Sequence, residues 1–400
     1  MVLLSLAEAQ ARLLAIAVPL PVERVPVADA LGRYLAEPLT ARRTQPPADL
    51  SAMDGYALLA TDLPGPWRVI GESACGHPFG GVVGAGEAVR IATGALVPGG
   101  SDMVLMQEDA VRDDDRLTLT GALPKPPTKH IRCKGMDFAE GATLLTAGSR
   151  LGPGQLALAL GAGHGHIAVR RVPRIAVIDS GDELSDDPAA CAVHQIPASN
   201  GVMIAAQIAA AVPSHVERIG PVADTLEALA AALDQARHAD LIVTSGGASV
   251  GDHDLIRPAL EAWGAKLDFW KVAVKPGKPV MVARRESQLV VGLPGNPVSS
   301  HVTAFLFVLP LLRALLGAAL PLPQPIRAAL AHDLPAGGAR QEFLRAYWNG
   351  ESVTARINQD SGALATLAAS NALIERPINA PALAAGSAVS VYLLENGAIA

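Results

Sequence analysis

The sequence predicts a multidomain α/β plus β protein. Its expected parts are a central three-layer α/β domain with a mostly parallel sheet, an inserted β domain and a small C-terminal β domain, in an elongated subunit. Three observations carry this. The 400 residues exceed what one typical hydrophobic core organises. Between residues 171 and 319, short β-branched runs alternate with helical patterns, the mark of a parallel sheet covered on both faces. Residues 41–141 and 326–400 instead carry short β runs between glycine-rich turns.

Composition narrows the class. Half of the residues are apolar, and the net charge of −6 excludes nucleic-acid binding by bulk charge. The 3 cysteines, Cys75, Cys133 and Cys191, lie far apart without a CxxC. That argues against a zinc site or a disulfide framework and suits a reducing cytoplasm.

Taken in order, residues 3–18 predict an amphipathic helix, with Glu8 and Arg12 at helical spacing and no basic segment or A-x-A site of a signal peptide. Residues 22–40 read as strand, short helix and strand. Residues 142–170 read as strand, helix and strand, with Pro153 in the first helical turn. These two segments flank 41–141 and are expected to form one linking domain, with the β domain inserted. The α/β domain then comprises 1–21 and 171–319. The proline-rich LPLPQPIR opens a C-terminal domain over 320–400. Residues 302–320 resemble a membrane span but hold Pro310 and Arg313, so they predict a buried helix and no membrane partner. No internal repeat is visible.

Within the α/β part, Ile175–Ile178 runs into DSGDEL, Leu241–Val243 into TSGGASVGD and Leu289–Val291 into GLPGNP. Ser199 and Asn200 are placed to cap the helix that follows them. Ligands of such sheets sit beyond the carboxyl ends of the strands. Strand, glycine turn and helix together aim backbone N–H groups at an anion.

The chemistry-bearing residues cluster there. Gly246, Gly247 and Gly251 let the backbone approach a ligand, Ser245 and Ser249 offer hydroxyls, and Asp252 and Asp254 offer hard oxygen donors. The plain alternative is that Asp254 caps the next helix. Lys271, Lys275 and Lys278 make an island of positive charge suited to phosphate. Lys271 and Lys275, four apart, are expected on one strand face; edge-strand protection is the plain alternative. Pro294 and Pro297 fix a loop before a helix that carries Ser299. Adjacent Asp182 and Glu183 suit Mg²⁺, against a solvated loop. Asp224 with Glu227 reads equally as a capping box or as part of that metal side. His164 and His166 share a predicted strand face but lack a third ligand, so a structural role is expected. From spacing alone, Asp54, Thr93, Arg132, Lys134 and Asp137 belong to ordinary turns.

SAMDGYA, TGALVPGG, IRCKGMD, SGDEL, SGGASVGDHD, KVAVKPGKP and GLPGNPVS occur in this order over nearly the whole chain. In this the sequence resembles the MoeA family of molybdopterin molybdenumtransferases, which also contains the gephyrin E domain. The resemblance implies a homodimer of elongated four-domain subunits. It also implies a Mg²⁺-assisted reaction in which adenylylated molybdopterin and molybdate enter, AMP leaves and molybdenum stays on the dithiolene. An adenylyltransferase of the same pathway is an expected partner. Motif chemistry and resemblance together give Asp54, Asp137, Glu183, Asp254, Lys271 and Lys275 catalytic roles. They give substrate contacts to Thr93, Arg132, Ser245, Gly246, Gly247, Ser249, Lys278, Pro294, Pro297 and Ser370. The metal side is Asp182, Glu183, Asp224 and Asp254. Residues 54–137 and 182–278 are expected to meet across the dimer.

The chain departs from the family pattern in places. Cys133 interrupts a basic run between Arg132 and Lys134, Ala198 stands where the family has Asp, and Leu50 where Asn is common. The competing readings are a nucleotide pyrophosphatase sharing only the α/β domain, and a non-enzymatic scaffold like gephyrin. Tungstate is the competing oxyanion.

Overall fold

The computed structural model describes residues 3–246 and 255–394. The first helix, α1, runs Leu6–Ala15 and is shorter than the predicted 3–18. A capping box fixes its start: the Ser5 hydroxyl accepts from Glu8 N at 3.2 Å, and Ser5 N donates to the Glu8 carboxylate at 3.0 Å. Strands β1 (Val22–Pro26) and β2 (Leu39–Thr40) follow.

The next stretch is strand-rich. It holds β3 (Leu50–Ser51), β4 (Gly55–Leu58), β5 (Trp67–Ser73), β6 (Glu87–Ile91), β7 (Met103–Met106), β8 (Ala110–Asp113), β9 (Arg116–Leu119) and β10 (Ile131–Arg132). Six of these form one sheet in the order β7-β4-β6-β5-β9-β8, and β3 pairs with β10. The chain then returns through β11 (Thr143–Leu145), α2 (Pro153–Gly161) and β12 (His166–Arg170). β12 pairs antiparallel with β1, and β11 with β2. Val27, Leu35, Leu39, Leu151, Ile167 and Val169 share one small core, so residues on both sides of the insert fold together. His164 precedes β12 instead of sharing its face with His166; it is buried, with Nε2 2.8 Å from Thr40 O.

The α/β part opens with β13 (Arg174–Ser180), the short strands β14 (Leu184–Ser185) and β15 (Ile196–Pro197), and α3 (Asn200–Ala211). It continues with β16 (His215–Val222), α4 (Leu226–Gln235), β17 (Leu241–Ser245), α5 (Ile256–Ala262), β18 (Lys266–Trp270), β19 (Val274–Lys275), β20 (Met281–Arg285) and β21 (Gln288–Leu293). The sheet order is β16-β13-β17-β21-β20-β18. The first four strands are parallel, and β20 and β18 add on antiparallel. Alternate strand residues go to two different cores. Ile175, Val177, Leu241 and Val243 pack with α1, α3 and the helix after β21. Ala176, Ile178 and Ile242 pack with α4 and α5.

That helix after β21 is α6 (Pro297–Thr303), continued by a π turn over Ala304–Val308 and α7 (Leu309–Leu315). Pro310 lacks an N–H and crowds the preceding turn, and the wider π turn ahead of it accommodates this. The stretch Pro297–Leu315 is long and apolar enough to cross a membrane, yet 89% of its apolar window is buried inside the fold.

The tail adds β22 (Ile326–Leu330), β23 (Gln341–Trp348), β24 (Ser352–Ala355), α8 (Leu364–Ala368), β25 (Ala372–Arg376) and β26 (Ala388–Leu393). Pairing of β23 with β25 closes the series β23-β24-β22-β26-β25 into a barrel. β19 joins β23 from outside, in parallel.

Leu13 of α1 is fully buried in the main core beside the sheet. Leu13→Ala is expected to lower unfolding free energy by about 2–5 kcal/mol. Urea denaturation reads this, and an unchanged midpoint would detach α1 from that core.

Candidate active site

The parallel strands β13, β17 and β21 end side by side, and their last residues turn polar. Asp179 faces α3, where its Oδ2 accepts from Gly201 N at 2.7 Å. Ser199, expected to cap this helix, makes no side-chain cap bond because it adopts a helical backbone itself. Asp179 from the neighbouring strand supplies the acceptor instead. Asn200 then reaches across the strand ends: Nδ2 donates to Ser245 Oγ at 2.9 Å and to Gly295 O at 2.7 Å. Ser245 Oγ lies 3.4 Å from Ser300 Oγ of α6. Gly246 has φ +97° and a Cβ there would lie 2.3 Å from Ser180 O, so only glycine fits. Asp179 Oδ1, Ser180 Oγ and Thr244 Oγ1 are buried without a hydrogen-bond partner among the described residues. Burial pushes the Asp179 carboxyl above its ordinary value, against the opposing pull of Gly201 N–H and Arg218. Asp179, Asn200 and Thr244 were not among the predicted site residues. Asp179 and Thr244 each close an apolar run, which is their signal in the sequence; Asn200 has only its place at the start of a helix.

The lysines sit beside this edge, though not as one strand face. Lys271 has φ +72° and interrupts the chain between β18 and β19, so it and Lys275 do not share a strand. The Lys271 ammonium lies 4.0 Å from the Trp270 ring centre. Lys275 pairs with Glu342 of the barrel at 2.9 Å. Lys278 is exposed, and the loop holding it presses on α6 at Gly277. A Cβ on Gly277 would lie 2.2 Å from Thr303 Cγ2. Pro294 is buried behind the Gly295 turn, and Pro297 opens α6, where its missing N–H costs nothing.

On the acidic side, Asp182 and Glu183 are exposed in the loop after β13. Asp182 Oδ1 accepts from Asp224 N at 3.0 Å, which draws the two residues together from different loops. The Asp224–Glu227 capping box does not form. Thr225, one residue on, is the N-cap of α4, its hydroxyl accepting from Ala228 N at 3.2 Å. Gly247, Ser249 and Asp254, with Gly251 and Asp252, lie outside the described residues. Among the described residues, no three His, Cys, Asp or Glu side chains group as a metal centre.

A second cluster forms at one end of the insert. Asp54 Oδ1 accepts from Thr93 N at 2.7 Å, a bond that holds its carboxyl below the usual range. The antiparallel β3–β10 pair sets Arg132 opposite Leu50, and Lys134 N donates to Asp49 at 2.7 Å. Asp137 N donates to Gln45 O. Asp54, Thr93, Arg132 and Asp137 are all exposed. The bonds described stay within each cluster. Ser370 is placed differently: it is fully buried in the barrel and its hydroxyl donates to Thr366 O at 2.7 Å. A cavity of about 1160 Å³ lies between α3, the 297–315 helix and the barrel and is lined by none of the predicted site residues.

Sequence profiles match the chain in order: the MoeA N-terminal region (domain I and II) over residues 4–163, a probable molybdopterin binding domain over 176–314, and the MoeA C-terminal region (domain IV) over 327–394. Fold and site thus define a multidomain enzyme of molybdenum cofactor biosynthesis, built around a molybdopterin-binding type of α/β domain. The molybdopterin molybdenumtransferase of Haemophilus influenzae is 34% identical over 334 residues, 82% of each chain. That of Bacillus subtilis is 33% identical over 393 residues, covering 94% of this chain and 91% of its own. The crystal structure of the molybdopterin biosynthesis MoeA protein from Pyrococcus horikoshii OT3 superposes with a TM-score of 0.83 at 27% identity, covering 98% of this chain and all of that one. The chain belongs to the MoeA family and is a transferase.

Asp54 and Asp179, one from each cluster, are shifted in opposite directions. Carboxyl NMR titration should place the Asp54 midpoint below 3.8 and the Asp179 midpoint above it. A raised folded value favours the protonated folded state, so this contribution is present at low pH and lost as pH rises through the folded pKa. Asp179→Asn keeps an acceptor for Gly201 N and removes the buried charge. Its unfolding midpoint is expected to rise by roughly 2–4 °C at pH 7. The gain should vanish as pH falls toward 3.8, the ordinary value; a midpoint that drops at pH 7 contradicts the reading.

Proposed function

We propose that the chain inserts molybdate into adenylylated molybdopterin, with hydrolysis of the phosphate linkage and release of AMP. The observation that carries this is the polar carboxyl edge of the six-stranded sheet with a lysine-bearing loop packed beside it. Molybdate and the linkage phosphates are tetrahedral oxyanions, and this edge offers them backbone donors, hydroxyls and ammonium groups. Gly246 brings the backbone close, and Lys271, Lys275 and Lys278 offset charge on molybdate and on the leaving phosphate. Water attacks phosphorus, the P–O bond to AMP or to the pterin phosphate breaks, and AMP departs.

Mg²⁺ fits the acidic side. The exposed Asp182 carboxylate and the half-buried Asp224 would hold it, with exposed Glu183 adjoining and Asp254 as the further ligand the motif assigns. One or two carboxylates plus phosphate oxygens and waters is the usual magnesium shell. When bound, the ion neutralises charge on the phosphate oxygens. Asp54, kept ionised by Thr93 N–H, orders the insert loops with Arg132 and Asp137 for the rest of the substrate.

We place the enzyme in the cytoplasm, where its free thiols stay reduced, as an elongated homodimer fed by the adenylyltransferase of its pathway. For the α/β domain we take the three-layer order, and for the chain the domain limits, that the sequence implies. Each active site is assembled from the insert of one subunit and the sheet edge of the other. Mixing Asp54→Ala chains with Lys275→Ala chains should recover up to a quarter of wild-type molybdate-dependent AMP release, since random pairing makes half the dimers mixed, each with one intact site. No recovery removes the shared site. No molybdate-dependent AMP release by the wild type, with Mg²⁺ and adenylylated molybdopterin present, removes the function.

A further inference from the structure

Lys275 is held by a residue that no motif pointed to. Its Nζ lies 2.9 Å from Glu342 Oε1, with the Glu342 side chain 11% exposed and that of Lys275 51% exposed. Backbone register sets up the pair, because parallel β19 and β23 place Lys275 beside Glu342. The lysine segment is clamped around that point. Gln341 N donates to Ala273 O at 2.9 Å, Arg340 donates to Val274 O at 3.3 Å, and Ala273 N donates to Leu4 O at 2.8 Å. On its other side Glu342 stands opposite Arg376, whose guanidinium instead donates to Pro381 O. The neighbouring Gly337 leaves the carboxylate uncrowded: a Cβ there would stand 3.6 Å from Oε2. A nearly buried carboxylate thus faces one exposed ammonium at the rim of the anion edge.

We propose that Glu342 is a positioning residue that holds Lys275 in the empty site and yields it to an incoming tetrahedral oxyanion. This rests on the functional reading above. The pair fixes the ammonium against rotamer disorder, and it also neutralises part of the charge the oxyanion needs. The anion must therefore compete with Glu342 for Lys275. Removing the charge of Glu342 while keeping its shape strengthens oxyanion binding and weakens turnover, since the lysine is then free but no longer aimed. A purely structural role would weaken both.

The test titrates the full-length protein with sodium molybdate alone and with inorganic pyrophosphate alone by calorimetry, and measures AMP release separately. Glu342→Gln should bind one or both anions about three- to tenfold tighter than wild type, with turnover reduced at least about tenfold. Glu342→Asp keeps the charge but draws it back by one methylene, and should fall between the two in both readouts. In a Lys275→Ala background the tightening should shrink to under about twofold. Tightening toward molybdate only assigns the pair to the metal oxyanion, and toward pyrophosphate only to the phosphate linkage; either supports the proposal. Unchanged or weaker binding in both Glu342 variants overturns it while the functional reading stands. A wild type that binds neither anion and releases no AMP overturns both.

Discussion

The short bond from Gly201 N to the Asp179 carboxylate is the tie on which the sheet edge depends. It joins the end of β13 to the start of α3 and so fixes where Asn200 begins. Asn200 then spans to Ser245 and Gly295, on the ends of β17 and β21. Three strand ends from distant parts of the chain are held by one helix start. The arrangement carries a penalty, because Asp179 keeps one oxygen buried without a partner among the described residues. A buried, partly satisfied carboxylate is expensive to maintain. Its persistence at a sheet edge fits a site that trades stability for a fixed geometry.

The sheet that carries this edge is joined to the rest of the molecule by two further attachments, one at its opposite end. Arg171 grips Asp240 with both terminal guanidinium nitrogens, at 2.7 and 3.1 Å, where the linking segment meets the start of β17. β19 docks on the barrel strand β23, so the barrel helps set where Lys275 stands. The insert cluster around Asp54 is built on a different sheet. Its order comes from local bonds, Thr93 N–H above all.

Much of this was legible in the sequence because it depends on local patterns. The runs Leu241–Val243 and Leu289–Val291 are apolar on both faces, and that alone marks buried parallel strands. Glycine and proline marked where those strands end. What escaped depends on contacts distant in sequence or on a one-residue choice. An Asp closing an apolar run, as Asp179 does, looks like any loop carboxylate until α3 is placed beside it. Asp224 and Thr225 are both competent caps, and only the backbone shows that Thr225 takes the role. Lys271 and Lys275 have strand-like spacing, but a left-handed backbone at Lys271 breaks the strand. Glu342 lies 67 residues from Lys275 and meets it only through barrel docking.

The oxyanion edge is built by this helix-start tie. The most direct measurement is the dissociation constant of adenylylated molybdopterin for Asn200→Ala, by equilibrium titration with Mg²⁺ present. Losing both donors of Asn200 should free the Ser245 and Gly295 loops and weaken binding by about tenfold or more, equivalent to about 1.4 kcal/mol, with the global fold retained. Wild-type affinity in that variant would mean that the edge binds its ligand without the Asn200 tie.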